Sequence, residues 1–208
     1  MEGEESKNKY TKPVPGENSP SLTQIKMMIK ECQDRGKRKY EMIIKVGWNL
    51  AVRINELSHL KVEDFDFVED TVRIDKKYAK MAEDTVSIVM NEPDFVFDLQ
   101  DYIKEMRLEQ EDWLFCHGDN RQNYSNRRLT TIIRQIGEWI GFERMRPHLL
   151  RHSRAKWLIM NHYDLRFAQL LLRHKKASTT LQEYARYNLD DLKEIGRKGK
   201  KAGWEELK

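Results

Sequence analysis

Two arginines, two histidines and a tyrosine in this chain have the types and order needed to handle a phosphodiester. The run Pro147-His148-Leu149-Leu150-Arg151-His152-Ser153 holds His148 and Arg151 three positions apart. On a helix, positions i and i+3 share a face, so both side chains can reach the same oxygens. His174 closes Leu171-Leu172-Arg173-His174, and Tyr184 stands ten residues further on, at the end of Thr179-Thr180-Leu181-Gln182-Glu183-Tyr184. Far upstream, Arg53 opens Arg53-Ile54-Asn55-Glu56-Leu57. This set makes neither a metal site nor an acyl-transfer triad. It suits phosphate chemistry: paired guanidiniums for the non-bridging oxygens, imidazoles as donors or acid/base groups, and a phenol as covalent nucleophile.

The elements that must position these residues are legible from periodicity and punctuation. Residues 1–20 are polar, contain Pro13, Pro15 and Pro20, and read as a flexible linker. Ser21 is an N-cap candidate with Gln24 as its capping-box partner. Tyr40 to Leu50 is a strongly apolar helix in which Gly47 either ends the helix or allows a close approach. Glu56 to Leu60 is a further helical turn. Strands are expected at 65–68, 71–74 and 85–89, forming a small three-stranded antiparallel sheet. Helices are expected from Pro93 to Arg107, with Phe95, Leu99, Tyr102 and Met106 on one face, and from Leu129 to Ile140. Three more follow, over His148–Asn161, Leu165–Arg173 and Thr179–Tyr187. The fold class is mainly α with one small sheet, α+β.

The order of these residues resembles the tyrosine recombinases, the phage integrase and Xer family of site-specific DNA recombinases. The family signature runs Arg-x-x-Glu-Leu, a hairpin lysine, His-x-x-Arg-His, Leu-Gly-His and a tyrosine. Here it reads Arg53-Ile54-Asn55-Glu56-Leu57, His148-Leu149-Leu150-Arg151-His152, Leu172-Arg173-His174 and Tyr184. The resemblance spans about Ser21 to Tyr187 and implies that family's catalytic fold over residues 21–188. It implies a 3′-phosphotyrosyl intermediate on double-stranded DNA, formed without metal or ATP. It also implies a homotetramer on DNA, with the basic tail 189–208 able to dock on a neighbouring subunit. Family members usually carry a helical core-binding domain ahead of this one, and only about twenty residues precede the resemblance here. The expectation is therefore a piece of a longer protein or a naturally short one.

On this resemblance Arg53 and Arg151 clamp the phosphate, His174 donates to a non-bridging oxygen, and Tyr184 attacks. His148 serves as acid/base or donor near the tyrosine, and Glu56 orients the site. A lysine on the turn after the second strand protonates the leaving oxygen. The spacing of 24 from Arg53 favours Lys77, with Lys76 and Lys80 as alternatives in a turn that lacks the usual Gly-Lys-Gly. Tyr187, at thirteen residues from His174, lies outside the family interval of nine or ten. Bland readings exist for each residue. Arg53 could pair with Glu56 or Glu63, either tyrosine could belong to the core, and His152 is expected to be structural and buried. Arg173 departs from the family glycine, at a place where a tight turn would need positive φ.

Composition narrows the alternatives. The 208 residues carry a net charge of only +4, and 35% are charged. The distribution is uneven: Arg144 to Arg186 holds ten Lys/Arg against two Asp/Glu. A basic segment that also holds the His/Arg/Tyr set has the electrostatic signature of a polyanion site. Two distant cysteines suggest neither a disulfide framework nor a metal site. The start Met1-Glu2-Gly3-Glu4-Glu5 lacks an apolar core, and no run is long enough to span a membrane. The expected location is cytoplasmic, at the nucleoid. Two further function classes share the same residues: a non-catalytic DNA-binding regulator that kept the fold, and a type IB-like topoisomerase acting alone.

Overall fold

The computed structural model describes residues 19–173 apart from 80–85, 91, 119 and 162. The described chain is mainly helical with a small antiparallel sheet. Its helices are α1 (Leu22–Asp34), α2 (Arg38–Asn49), α3 (Ile54–Ser58), α4 (Pro93–Glu105), α5 (Asn126–Trp139), α6 (Pro147–Met160) and α7 (Leu165–Leu172). The strands are β1 (Phe65–Asp66), β2 (Thr71–Ile74) and β3 (Val86–Val89). β2 and β3 pair from Thr71 opposite Val89 to Ile74 opposite Val86, and β1 adds the pairs Phe65–Val72 and Asp66–Thr71. β1 stops short of Val68 because the Asp66 carboxylate accepts the amides of Val68 and Glu69, folding the chain into a turn.

Local signals set most of these boundaries. The Ser21 hydroxyl accepts the Gln24 amide at 3.2 Å, and the Gln24 side chain accepts the Ser21 amide at 2.9 Å, a reciprocal cap on α1. Pro93 and Pro147 open α4 and α6, where a missing amide hydrogen costs nothing. Asp164 caps α7 by accepting from the Arg166 and Phe167 amides.

The core forms around α2, which packs on α1, α4, α5 and α6. Met42, Ile43, Ile44, Val46 and Trp48 are buried on it. Gly47 is the point of close approach to α6, where a β-carbon would stand 2.9 Å from Leu150 Cδ1. On α4, Phe95, Leu99 and Tyr102 face inward, and the buried Tyr102 hydroxyl donates to the Leu114 carbonyl at 3.1 Å. Met106, just past the helix, is half-buried. α6 carries a fully buried Arg154, whose guanidinium lies 4.4 Å from both the Trp48 and Trp157 rings and whose Nη2 meets Glu92 at 3.2 Å. Stacking of this kind lets a guanidinium sit among apolar side chains.

Leu129, Ile132, Ile133 and Ile136 form the inward stripe of α5, at helical spacing. Gly137 extends that stripe because the loop after α5 folds back onto it. A β-carbon there would sit 2.7 Å from the Phe142 carbonyl oxygen and would overlap the Met145 side chain. This loop delivers the chain into α6, so Gly137 shapes the approach to Arg146 and His148. Gly137→Ala should lower stability by about 1–3 kcal/mol, as overpacking against backbone does. A urea titration would show it as a reduced midpoint, and an unchanged midpoint would rule out the close packing.

Candidate active site

Arg53 lies where the chain leaves α2 and enters α3. The connection turns through Ala51, a fully buried residue at φ 47°. A left-handed alanine costs about 1 kcal/mol, and the turn aims its carbonyl at the arginines described below. Arg53 is the N-cap of α3, and Glu56 one turn later folds back on it. One Glu56 oxygen accepts the Arg53 amide at 2.7 Å, and the other accepts Arg53 Nη1 at 2.9 Å. Arg53 thus pairs with Glu56, while Glu63 pairs with Lys61 at 2.8 Å.

Arg151 arrives from α6. Its guanidinium is buried and donates Nη1 to the Ala51 carbonyl at 2.7 Å and Nη2 to the Leu172 carbonyl. Those contacts tie α6 to the α2–α3 connection and to the end of α7. Arg53 and Arg151 line one basin of about 630 Å³, together with Arg134, Arg144, Arg146 and His148. Five arginines stand there against one carboxylate, Glu143. Such a concave, single-signed surface concentrates anions. The three further arginines were not singled out from sequence, although Arg144 and Arg146 opened the basic segment noted there.

The His148 ring is exposed at the basin. Desolvation by the walls, and then His152 and Arg146, hold its imidazole below the ordinary value. It is therefore predominantly neutral at pH 7 and able to accept a proton. His152, expected to be buried, is half-buried, its ring edge-on to His148 with centroids 5.6 Å apart.

Lys76 and Lys77 both lie on the turn that follows β2, and both are exposed. The turn is moored to α3. Asn55 Nδ2 donates to the Tyr78 carbonyl at 2.8 Å, and the Tyr78 ring stacks on His59 at 4.0 Å. Asn55 in turn accepts from Asn126 at the start of α5, at 3.2 Å. Sequence reasoning passed over Asn55 and His59, since nothing nearby marks them as anchors for a residue 23 and 19 positions further on.

Arg173, in the position of the family glycine, does adopt the left-handed conformation, at φ 50° and ψ 47°. Its side chain turns inward. Nη2 meets Glu56 at 2.6 Å and the Ala51 carbonyl at 3.1 Å, and Nη1 meets the Leu171 carbonyl at 2.8 Å. Burial pushes the Glu56 carboxyl up, but Arg173, the Arg53 amide and the Arg53 and Arg151 guanidiniums together hold it below the ordinary glutamate range. Lys80, His174, Tyr184 and the helix expected over 179–187 lie outside the described residues, as do 1–18 of the expected linker and the tail 189–208. Among the described residues, no cluster of His, Cys, Asp or Glu could hold a metal ion, and no helix is long and apolar enough to cross a membrane.

The described chain is a helical domain that brings two arginines, Arg53 and Arg151, from distant parts of the sequence onto one cationic basin. The chain belongs to the phage integrase family, whose match covers residues 21–190. It is 28% identical over 195 residues to tyrosine recombinase XerA of Pyrococcus furiosus, covering 92% of this chain and 65% of that protein. Its fold matches a crystal structure of XerA recombinase with a TM-score of 0.74 at 26% identity, over 91% of this chain and 66% of that one. It also matches XerH site-specific recombinase bound to a palindromic difH substrate in a post-cleavage complex, with a TM-score of 0.68 at 21% identity, over 90% and 53% of the two chains.

Proposed function

We propose that this chain is the catalytic domain of a site-specific DNA recombinase that cuts and rejoins strands through a 3′-phosphotyrosyl link. The observation that carries the reading is the convergence of Arg53 and Arg151 on one arginine-lined basin, in a chain of the phage integrase family. Residues 21–188 form the catalytic unit, residues 1–20 a linker, and 189–208 a tail that docks on a neighbouring subunit. The acting species is a homotetramer on double-stranded DNA.

The Tyr184 phenol oxygen attacks phosphorus and the 5′-oxygen leaves. The phenol proton passes to His148, whose neutral form suits it to that task. The leaving oxygen takes its proton from Lys77. Arg53 and Arg151 hold the two non-bridging oxygens, and His174 adds a hydrogen bond as charge builds on them. Attack on the phosphotyrosine by the 5′-hydroxyl of another strand completes recombination. The phosphodiester bond energy is kept in the link, so the cycle needs no nucleotide and no metal. Further contacts to the DNA backbone come from Arg134, Arg144 and Arg146, which makes binding strongly salt-dependent.

The test is incubation with nicked suicide duplexes in EDTA, followed by a denaturing gel and peptide mapping of any adduct. A covalent band whose attached peptide carries the nucleotide on Tyr184 is expected. Absence of an adduct on DNA that the protein binds would mean a binding module that kept the fold. An adduct with relaxation of supercoils, but no exchange between two duplexes, would mean a topoisomerase.

A further inference from the structure

We propose that Arg173 is a positioning residue of the phosphate clamp, holding Arg53 and Arg151 in one fixed relation through Glu56 and the Ala51 carbonyl. The proposal rests on the reading above, in that the two arginines act on a common phosphate.

The geometry is that of a relay. Glu56 has two anchors on Arg53, its amide and its Nη1, and a third on Arg173 Nη2 at 2.6 Å. The Ala51 carbonyl has two, Arg151 Nη1 at 2.7 Å and Arg173 Nη2 at 3.1 Å. Arg173 therefore touches the partner of each clamp arginine. It does so from the C-terminal end of α7, 117 residues from Glu56. Its side chain is only 5% exposed and that of Glu56 is fully buried, whereas that of Arg53 remains 26% exposed at the basin. The division of labour follows from those values. Arg173 supplies the buried counter-charge for Glu56, and Arg53 keeps an open side toward the anion. The left-handed backbone at 173 supports this reading. Glycine adopts that conformation without strain and arginine does not, so a long cation there needs a compensating role, which the two inward contacts supply.

The charged groups facing Glu56 are Arg53 at the start of α3, Arg151 from α6 and Arg173 from the end of α7. α5, packed on α3, approaches through the neutral Asn126. Without Arg173 the carboxylate loses the largest of its stabilising charges and protonates more readily. A protonated Glu56 cannot accept from both the amide and the guanidinium of Arg53 with full strength, so Arg53 loses its fixed orientation. Misplacement of a clamp group slows chemistry more than it weakens binding.

Single-turnover cleavage of a suicide duplex would be compared for the full chain, Arg173→Lys, Arg173→Gly, Glu56→Gln and the Arg173→Gly/Glu56→Gln pair. DNA affinity and thermal melting would be measured on the same proteins, and Glu56 titrated by carboxyl carbon NMR. Expected rates fall in the order wild type, Arg173→Lys, Arg173→Gly, the last slower by roughly 10- to 100-fold with DNA affinity nearly unchanged. The Arg173→Gly defect should deepen as pH falls from 7 to 5, and should largely vanish in the Glu56→Gln background. The Glu56 titration should move upward in Arg173→Gly, a readout that stands whether or not the wild type cleaves DNA. If Arg173→Gly does not fold, Arg173→Lys carries the comparison, since an ammonium cannot span Glu56 and the Ala51 carbonyl as the guanidinium does. The proposal is overturned if either variant cleaves at the wild-type rate across that pH range. It is equally overturned if the Arg173→Gly defect is undiminished beside Glu56→Gln, or if the Glu56 titration does not move. A wild type that binds DNA without cleaving it counts against the recombinase reading alone, and the titration then decides the role of Arg173.

Discussion

Tyr184→Phe should abolish the covalent protein–DNA adduct while leaving DNA binding and the melting temperature unchanged. The substitution deletes one oxygen and keeps the ring, so it removes only the atom proposed to attack. No other group in the proposed set can replace it. The guanidiniums and His174 act as donors at the phosphate, His148 is placed to take up the phenol proton, and a lysine poised to protonate the leaving oxygen is itself protonated. The expected loss is therefore at least about 10⁴-fold in cleavage rate, the scale seen when a nucleophile is removed from a preorganised site. Tyr187→Phe is the matched control and should cleave normally. An adduct that survives Tyr184→Phe and is lost in Tyr187→Phe would move the nucleophile three positions along the chain. Loss in both would point to a shared effect on the segment that carries them.

Arg151→Ala should be the most damaging change among the described residues, because in the proposed mechanism that guanidinium serves both chemistry and architecture. As a phosphate donor its removal should slow cleavage by about 10²- to 10³-fold, the usual effect of deleting one oxyanion donor. As a structural group it satisfies the Ala51 and Leu172 carbonyls, which belong to buried residues. Leaving the Leu172 carbonyl without that donor, and the Ala51 carbonyl with Arg173 alone, should lower stability by about 1–3 kcal/mol. Arg151→Lys separates the two roles. It keeps the charge at the basin but has no planar fork to reach both carbonyls. The lysine variant should therefore melt below the wild type and cleave faster than the alanine variant. Cleavage by Arg151→Ala within about threefold of the wild type would remove Arg151 from the clamp.

Much of the scaffold follows from sequence because its causes are local. The Ser21–Gln24 cap, the prolines opening α4 and α6, the inward face of Phe95, Leu99 and Tyr102, and the apolar α2 depend on residues within one or two helical turns. Their periodicity and capping chemistry can be read in order along the chain. The family order of Arg53, His148, Arg151, His174 and Tyr184 is legible for the same reason, as a string of types and gaps. The departure at Arg173 was visible too, and the backbone there is left-handed, at φ 50°, despite its cost to arginine.

The consequence of that departure was not legible. Sequence marks Arg173 as a strained substitute for glycine. Packing of α7 against α6 and against the α2–α3 connection turns its side chain onto Glu56, across 117 residues. Contacts between distant elements also bring the Ala51 carbonyl within reach of two guanidiniums, set Asn55 beneath the Tyr78 carbonyl, and close Arg134 into a basin with Arg53. Sequence by itself determined which helices form, which of their faces turn inward, and which residue types are present to meet a phosphate. The Arg53–Glu56 pair was within reach of sequence, but only the tertiary structure shows Arg173 joining it on Glu56. A buried carboxylate takes whatever cation the helix packing delivers, and that geometry is set by contacts a hundred residues apart rather than by neighbours in the chain.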